Sequence, residues 1–339
     1  MKIIPNKIII LPMVTILSLL FLFSCSFPDD IKLNDNKTNS STYNTDVTRE
    51  VLSADNKPGS LVLQHSSKSD PCKDKAAEIK TIDPGSRLII ILQNINFEDL
   101  IEEQFDIAII DPDDSNLSSQ EIKELKGQEK KIISYLSIGE AEEYRSYWQE
   151  DWEPGKPEFI DMENPCWPGN YRVNYWHKQW QSIIFEKIEE IVVMGYDGAY
   201  LDLVDAYEFY RSQGRGSASY EMIQFIVEIS KRAKSMNPSF LIIPQNGEKL
   251  IASESYFNAI DGAGRENLWF IDGDRIEHED NKQSLEHLLK IRQSGKFVFV
   301  IEYIDGEIPI GEFELLAEEY CFIPYVGTKN LDVIIDTEK

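Results

Sequence analysis

The sequence predicts an α/β protein, a (β/α)8 barrel of the TIM type preceded by a signal peptide and a disordered tether. Three observations carry this. Eight short apolar runs recur from Arg87 onward, most of them are separated by stretches with apolar spacing of three and four, and several of the runs end in acidic residues. Strand and helix alternating eight times is the pattern of a closed parallel barrel; a doubly wound open sheet is the alternative. At 339 residues with 42% hydrophobic and 11% aromatic content, the chain has enough apolar material for a sizeable core.

The N-terminal 24 residues read as a lipoprotein signal peptide. Lys2 and Lys7 make a basic start, Ile8 to Phe23 is an apolar run of 16 residues, and Leu22-Phe23-Ser24-Cys25 closes it. The run is short for a spanning helix. Its ending resembles a bacterial lipobox, which implies that Cys25 carries the lipid (palmitate among its chains) and that the protein sits in the cell envelope as a membrane-anchored lipoprotein, periplasmic or surface-exposed. An ordinary cleaved signal or an uncleaved anchor is the alternative. Residues 25–81 are polar, rich in Asn, Asp, Ser, Thr and Lys, and read as a flexible tether; residues 82–339 read as the barrel domain. Cys72, Cys166 and Cys321 remain after lipidation, so at most one disulfide is expected among them.

The eight runs are Leu88 to Leu92, Ile107 to Ile110, Lys131 to Ile138, Gly198 to Leu203, Phe240 to Pro244, Ala259 to Ala263, Phe297 to Ile301 and Cys321 to Val326. Helical spacing lies between them at Ser118 to Lys126, Trp176 to Val193, Tyr220 to Met236, Ser284 to Gln293 and Gly311 to Glu319. Gly195 is placed to end the second of these helices. Between Gly139 and Trp176 the chain is too rich in Pro and Gly for a plain helix, and a long loop at that end of a barrel usually carries function.

Acids collect at the strand ends. The second run ends in Asp111, the third in Glu140, the fourth in Asp202 and Asp205; the sixth is followed by Glu266 and the seventh ends in Glu302 and Tyr303. One such Asp can be only a helix cap. Five of eight strands ending this way argue for an acidic barrel mouth, and two opposed carboxyls there suit glycosidic bond cleavage, one protonating the leaving oxygen and the other attacking or activating water. Aromatics agree with this. Trp148, Trp152, Trp167, Trp176 and Trp180 fall in the third crossover and the helix after it; Trp176 and Trp180, four apart, read as packing, and Trp148, Trp152 and Trp167 as a surface on which sugar rings stack.

The net charge of −25 argues against nucleic acid as a partner and is compatible with a neutral or cationic polymer. With four His and none at ligand spacing, no His-based metal site is expected, an oxygen-ligated cation at the acidic mouth being the alternative, and no phosphate-cradling loop or Gly-x-Ser-x-Gly elbow is present.

The segments YLSIGEAEEYRSYW (Tyr135 to Trp148), WPGNYRVNYWHKQW (Trp167 to Trp180) and GYDGAYLDLVD (Gly195 to Asp205) together resemble the glycoside hydrolase family 114 group, the endo-α-1,4-polygalactosaminidase-like proteins. The similarity runs from about residue 87 to 326. The resemblance implies a (β/α)8 barrel and an extracellular hydrolase of α-1,4-linked galactosamine-containing polysaccharide, needing no cofactor; a monomer is expected. It puts the catalytic acids on Asp202 and Glu266, with Asp111, Glu140, Tyr200, Asp205, Asn246 and Glu302 lining the cleft; Trp148, Trp167 and Tyr303, from the aromatic cluster and the seventh strand end, are expected to join them. A surface lipoprotein that binds glycan without cleaving it is the competing reading, and a barrel serving only as a scaffold is a third.

Overall fold

A computed structural model of the chain describes residues 82–271, 273–276, 278–303 and 309–335. The expected signal peptide and tether, with Cys25 and Cys72, lie outside these residues. Cys166 and Cys321 are both disulfide-bonded.

Eight parallel strands form the centre: β1 (Leu88–Ile91), β2 (Ile107–Ile110), β3 (Lys131–Ser137), β4 (Gly198–Asp202), β5 (Leu241–Pro244), β6 (Gly262–Glu266), β7 (Phe297–Tyr303) and β8 (Ile323–Gly327). The first five pair in sequence order, as do the last three. A parallel bridge from Gln245 to Gly264 joins β5 to β6. On the other side the Tyr325 hydroxyl of β8 donates to the Ile90 carbonyl of β1 at 2.6 Å. The result is an α/β fold around a parallel, TIM-barrel-like sheet.

Side chains alternate along each strand. On β7, Phe297, Phe299 and Ile301 enter the large cluster within the barrel, whereas Val298 and Val300 pack with Leu288, Ile291 and Phe313 of the outer helices. Cutting Phe299, which is fully buried, back to Ala would cost about 3–5 kcal/mol. Sequence periodicity locates the helices Ser119–Gly127, Lys178–Met194, Ala218–Met236, Glu279–Gln293 and Ile310–Tyr320. Gly195, at φ +100°, ends the second of these in the left-handed conformation. The short helices Phe97–Glu102, Pro112–Ser115, Ala206–Ser212 and Glu254–Ala259 span too few turns to show a period.

Two departures from expectation affect the site. The sixth strand starts three residues later than its apolar run, because Ala259 closes the helix Glu254–Ala259 and the strand itself is Gly-Ala-Gly-Arg-Glu. Its glycines carry no strand signal, yet both are required. A Cβ on Gly262 would stand 2.3 Å from the Phe297 ring, and one on Gly264 would stand 2.1 Å from the Tyr200 hydroxyl. Glu266 is therefore the last residue of β6 rather than a residue of the loop after it. The long third crossover is a three-stranded antiparallel sheet of Glu140–Glu142, Asn170–Val173 and Ile160–Glu163, with Asn170–Val173 in the middle.

Candidate active site

β3 and β4 end in register, with Tyr135 opposite Tyr200 and Ser137 opposite Asp202. The Tyr135 hydroxyl donates to Asp202 Oδ2 at 2.7 Å, and the Leu203 N–H donates to Oδ1 at 2.6 Å. Leu203 itself adopts φ +57°, a conformation uncommon for a residue with a Cβ. The strain falls at the strand end that bears the acid. Gly139 makes the turn possible, since a Cβ there would stand 2.4 Å from the Leu203 carbonyl.

Glu266 is held in a parallel way. The Asn246 amide donates from Nδ2 to Oε2 at 3.0 Å while its Oδ1 accepts the Glu266 N–H at 3.2 Å, so the amide orientation is set by the backbone. The Tyr303 hydroxyl donates to Oε1. Asn246 itself sits at φ +53°.

The two acids act on each other. Burial pushes the Asp202 carboxyl up to about 8, and the charge of Glu266 adds to this, while the bonds from Tyr135 and Leu203 pull the other way. Asp205 is raised to about 7, by burial first and the Glu266 charge second. Asp205 occupies the cap position of the helix Ala206–Ser212 but makes no side-chain capping bond, and Asp202 is engaged by Tyr135 and its own neighbour. Neither acid is spent as a helix cap. Tyr200, Asp202, Asp205, Asn246, Glu266 and Tyr303 are thus brought together.

Three acids expected to line the cleft are turned to other work. Asp111, 4% exposed, caps the helix Pro112–Ser115 and accepts from Arg145 Nη1 at 2.6 Å. Glu140, 3% exposed, accepts from Asn164 at 2.9 Å and is raised to about 7 by burial. Glu302 follows Ile301 on β7 and so faces outward, where it accepts from the Trp269 N–H at 3.0 Å; burial raises it to about 7. In this structure these carboxyls hold loops and side chains of the protein itself.

The aromatics also divide. Trp180 is fully buried, with its Nε1 donating to the Ile138 carbonyl at 2.9 Å, and Trp176 lies under the Arg215 guanidinium. Trp148 stacks on Tyr171 at 4.9 Å and meets Trp152 edge-on at 5.3 Å, so both are half-buried packing of the inserted sheet rather than free faces. Trp167, 47% exposed, and Tyr144, 63% exposed, keep open surface.

Sequence reasoning missed Tyr135 and Arg145. A tyrosine in an apolar run reads as an ordinary strand former. Arg145 is buried between Asp111 and Glu142, whose Oε2 accepts from its Nε at 2.5 Å, a partnership that only folding assembles.

A profile of glycoside-hydrolase family GH114 matches residues 72–338. The uncharacterized protein MJ1477 of Methanocaldococcus jannaschii is 35% identical over 260 residues, spanning 71% of this chain and 75% of that protein. An uncharacterized protein of Thermotoga maritima is 34% identical over 268 residues, spanning 74% and 83%. Among solved structures, Ega3 of Aspergillus fumigatus in complex with galactosamine superposes with a TM-score of 0.60 at 18% identity, covering 78% of this chain and 99% of that one. The glycoside hydrolase domain of PelA from Pseudomonas aeruginosa gives 0.58 at 17% identity, covering 74% and 97%. Identities that low speak for the fold alone.

Fold and profile together define the class: this is a glycoside hydrolase. More narrowly, the chain belongs to glycoside-hydrolase family GH114.

Proposed function

We propose that the protein is a lipid-anchored, extracytoplasmic glycoside hydrolase that cleaves α-1,4-linked galactosamine-containing polysaccharide with Asp202 and Glu266 as its carboxyl pair. The observation that carries the reading is their mutual arrangement. Two acids at the ends of β4 and β6 act on each other electrostatically, and each has both oxygens held by fixed donors. Close acids do not both ionise readily, so the pair retains a proton at neutral pH, as protonation of a leaving oxygen requires. The other carboxyl attacks the anomeric carbon or activates water.

The choice of polymer is supported by charge. At −25, with Asp205 beside the pair, the protein favours a cationic chain, and unacetylated galactosamine is cationic. The galactosamine in the Ega3 complex agrees with this choice. Trp167 and Tyr144 offer exposed rings for further sugars. The anchor is Cys25, the location is the cell envelope, and the working unit is a monomer.

Detergent-solubilised full-length protein, incubated with α-1,4-polygalactosamine and with its N-acetylated form, is expected to release reducing ends faster from the unacetylated polymer. Equal or exclusive cleavage of the acetylated form would remove the charge argument. Labelling with a radioactive fatty acid, lost in Cys25→Ala, tests the anchor.

A further inference from the structure

The phenol that orients Asp202 rests against a cation. The Tyr135 hydroxyl donates to Asp202 Oδ2 at 2.7 Å, and over its ring lies the Arg145 guanidinium, 5.8 Å from the ring centre. The same guanidinium lies over the exposed Tyr144 ring at 5.0 Å. Contacts of this kind strengthen when the cation is withdrawn from water, and Arg145 is buried. Its own orientation is fixed by two carboxylates from different elements. Nη1 donates to Asp111, just after β2, at 2.6 Å, and Nε donates to Glu142 of the inserted sheet at 2.5 Å.

Stability alone does not account for a charge at this place. A buried ion pair seldom stabilises a fold more than apolar side chains of the same volume would. Asp111, moreover, already accepts the N–H groups of Asp113 and Asp114 as a helix cap. What the site needs is a hold on the Tyr135 ring. Tyr135, Glu142 and Arg145 all line a cavity of about 190 Å³, and a side chain facing a void has fewer partner atoms there to keep it in one orientation. Arg145 supplies a contact that packing does not. Charge acts in the same direction. Burial, then the charges of Asp202 and Glu142, keep the proton on the Tyr135 oxygen; the Arg145 charge opposes them and makes the hydroxyl a stronger donor to Asp202.

We infer that Arg145 is a positioning residue, holding the Tyr135 ring so that its hydroxyl stays on Asp202 Oδ2. Asp202 takes its bonds from Tyr135 and Leu203, so Arg145 acts through the phenol. The inference rests on the reading of Asp202 and Glu266 as the carboxyl pair. Other charges face the three groups: Glu266 and Asp205 act on Asp202, Asp113 lies 3.4 Å from Arg145, and Lys187 and Glu190 line the cavity. All of them stay in place in the variants that test it.

The test compares Arg145→Lys, Tyr135→Phe and the double variant, each in the full-length protein. Lysine keeps a cation for Asp111 and Glu142, which Arg145→Met would remove, but it lacks the planar fork. One readout is titration of the Asp202 carboxyl, followed by carbon-13 NMR of aspartate-labelled protein and assigned by its loss in Asp202→Asn. The midpoint is expected to rise in Arg145→Lys, as in Tyr135→Phe, because the bond that favours the carboxylate is weakened. The other readout is kcat on any glycan that the unaltered protein cleaves, expected to fall about threefold to tenfold in Arg145→Lys. The double variant should match Tyr135→Phe in both, since the route is already cut at the phenol. An unchanged midpoint in Arg145→Lys, or effects of the two substitutions that add in full, would overturn the inference. A protein that cleaves no glycan while its titrations follow this pattern would sink the carboxyl-pair reading and leave Arg145 as the residue that orients Asp202.

Discussion

The Tyr135 hydroxyl meets Asp202 Oδ2 at 2.7 Å while the Leu203 N–H closes on Oδ1 at 2.6 Å, so the acid at the end of β4 is oriented before substrate arrives. Across the mouth, Glu266 has the same kind of support from Tyr303 and Asn246. Each carboxyl therefore has one obligate N–H donor and one phenol. A phenol can donate to a carboxylate or accept from a carboxylic acid, so Asp202 can hold or release its proton without leaving an oxygen unpaired. That suits a reaction in which one group must be acid and the other base.

Tyr135→Phe removes a bond that favours the charged form of Asp202. The carboxyl, already raised to about 8 by burial and Glu266, should then hold its proton to higher pH. The limb of the pH–rate profile set by Asp202 is expected to move upward, and kcat to fall about tenfold, the usual scale for one preorganised hydrogen bond at roughly 1.4 kcal/mol. A pH profile of the variant that overlays the unaltered one would deny Tyr135 this role.

Stability should decline as the pH rises from 4 to 8. Asp202 is raised to about 8 from 3.8, and Asp205 to about 7 from the same value; Glu140 and Glu302 reach about 7 from 4.5. In that window the folded state binds more protons than the unfolded one, so the stabilisation is lost as pH rises through the folded values. The melting temperature is therefore expected to be higher at pH 5 than at pH 8. Scanning calorimetry at pH 5 and pH 8 measures it, and Asp202→Asn should narrow the difference.

Much of the fold was legible because strand and helix each bury apolar residues at their own period. β6 was displaced in the reading because Gly262 and Gly264 have no side chain to pattern, though the rings of Phe297 and Tyr200 demand them. The acids at the mouth were legible as a set. What their letters do not carry is direction: Glu302 and Tyr303 are neighbours in sequence, yet strand alternation turns one outward to the Trp269 N–H and the other inward to Glu266. Asp111 and Glu140 looked the same as Asp202, and only their partners, Arg145 and Asn164, distinguish them.

Arg145 is the counter-charge of Asp111. It is 8% exposed and pairs with Asp111 and Glu142, themselves 4% and 3% exposed. Arg145→Met keeps most of the volume but leaves two buried carboxylates unpaired, and it should destabilise the domain by about 3–5 kcal/mol. Chemical denaturation would show it as a lower midpoint. A variant as stable as the unaltered protein would mean that the pairs contribute nothing.

The most direct test of the central claim is release of reducing ends from α-1,4-polygalactosamine by the full-length protein, by Asp202→Asn and by Glu266→Gln, each checked for an unchanged circular dichroism spectrum. The account predicts turnover in the unaltered protein and a loss of at least about a thousandfold in each variant, as removal of an acid or nucleophile demands. A folded Asp202→Asn or Glu266→Gln variant that still cleaves at the original rate would contradict it.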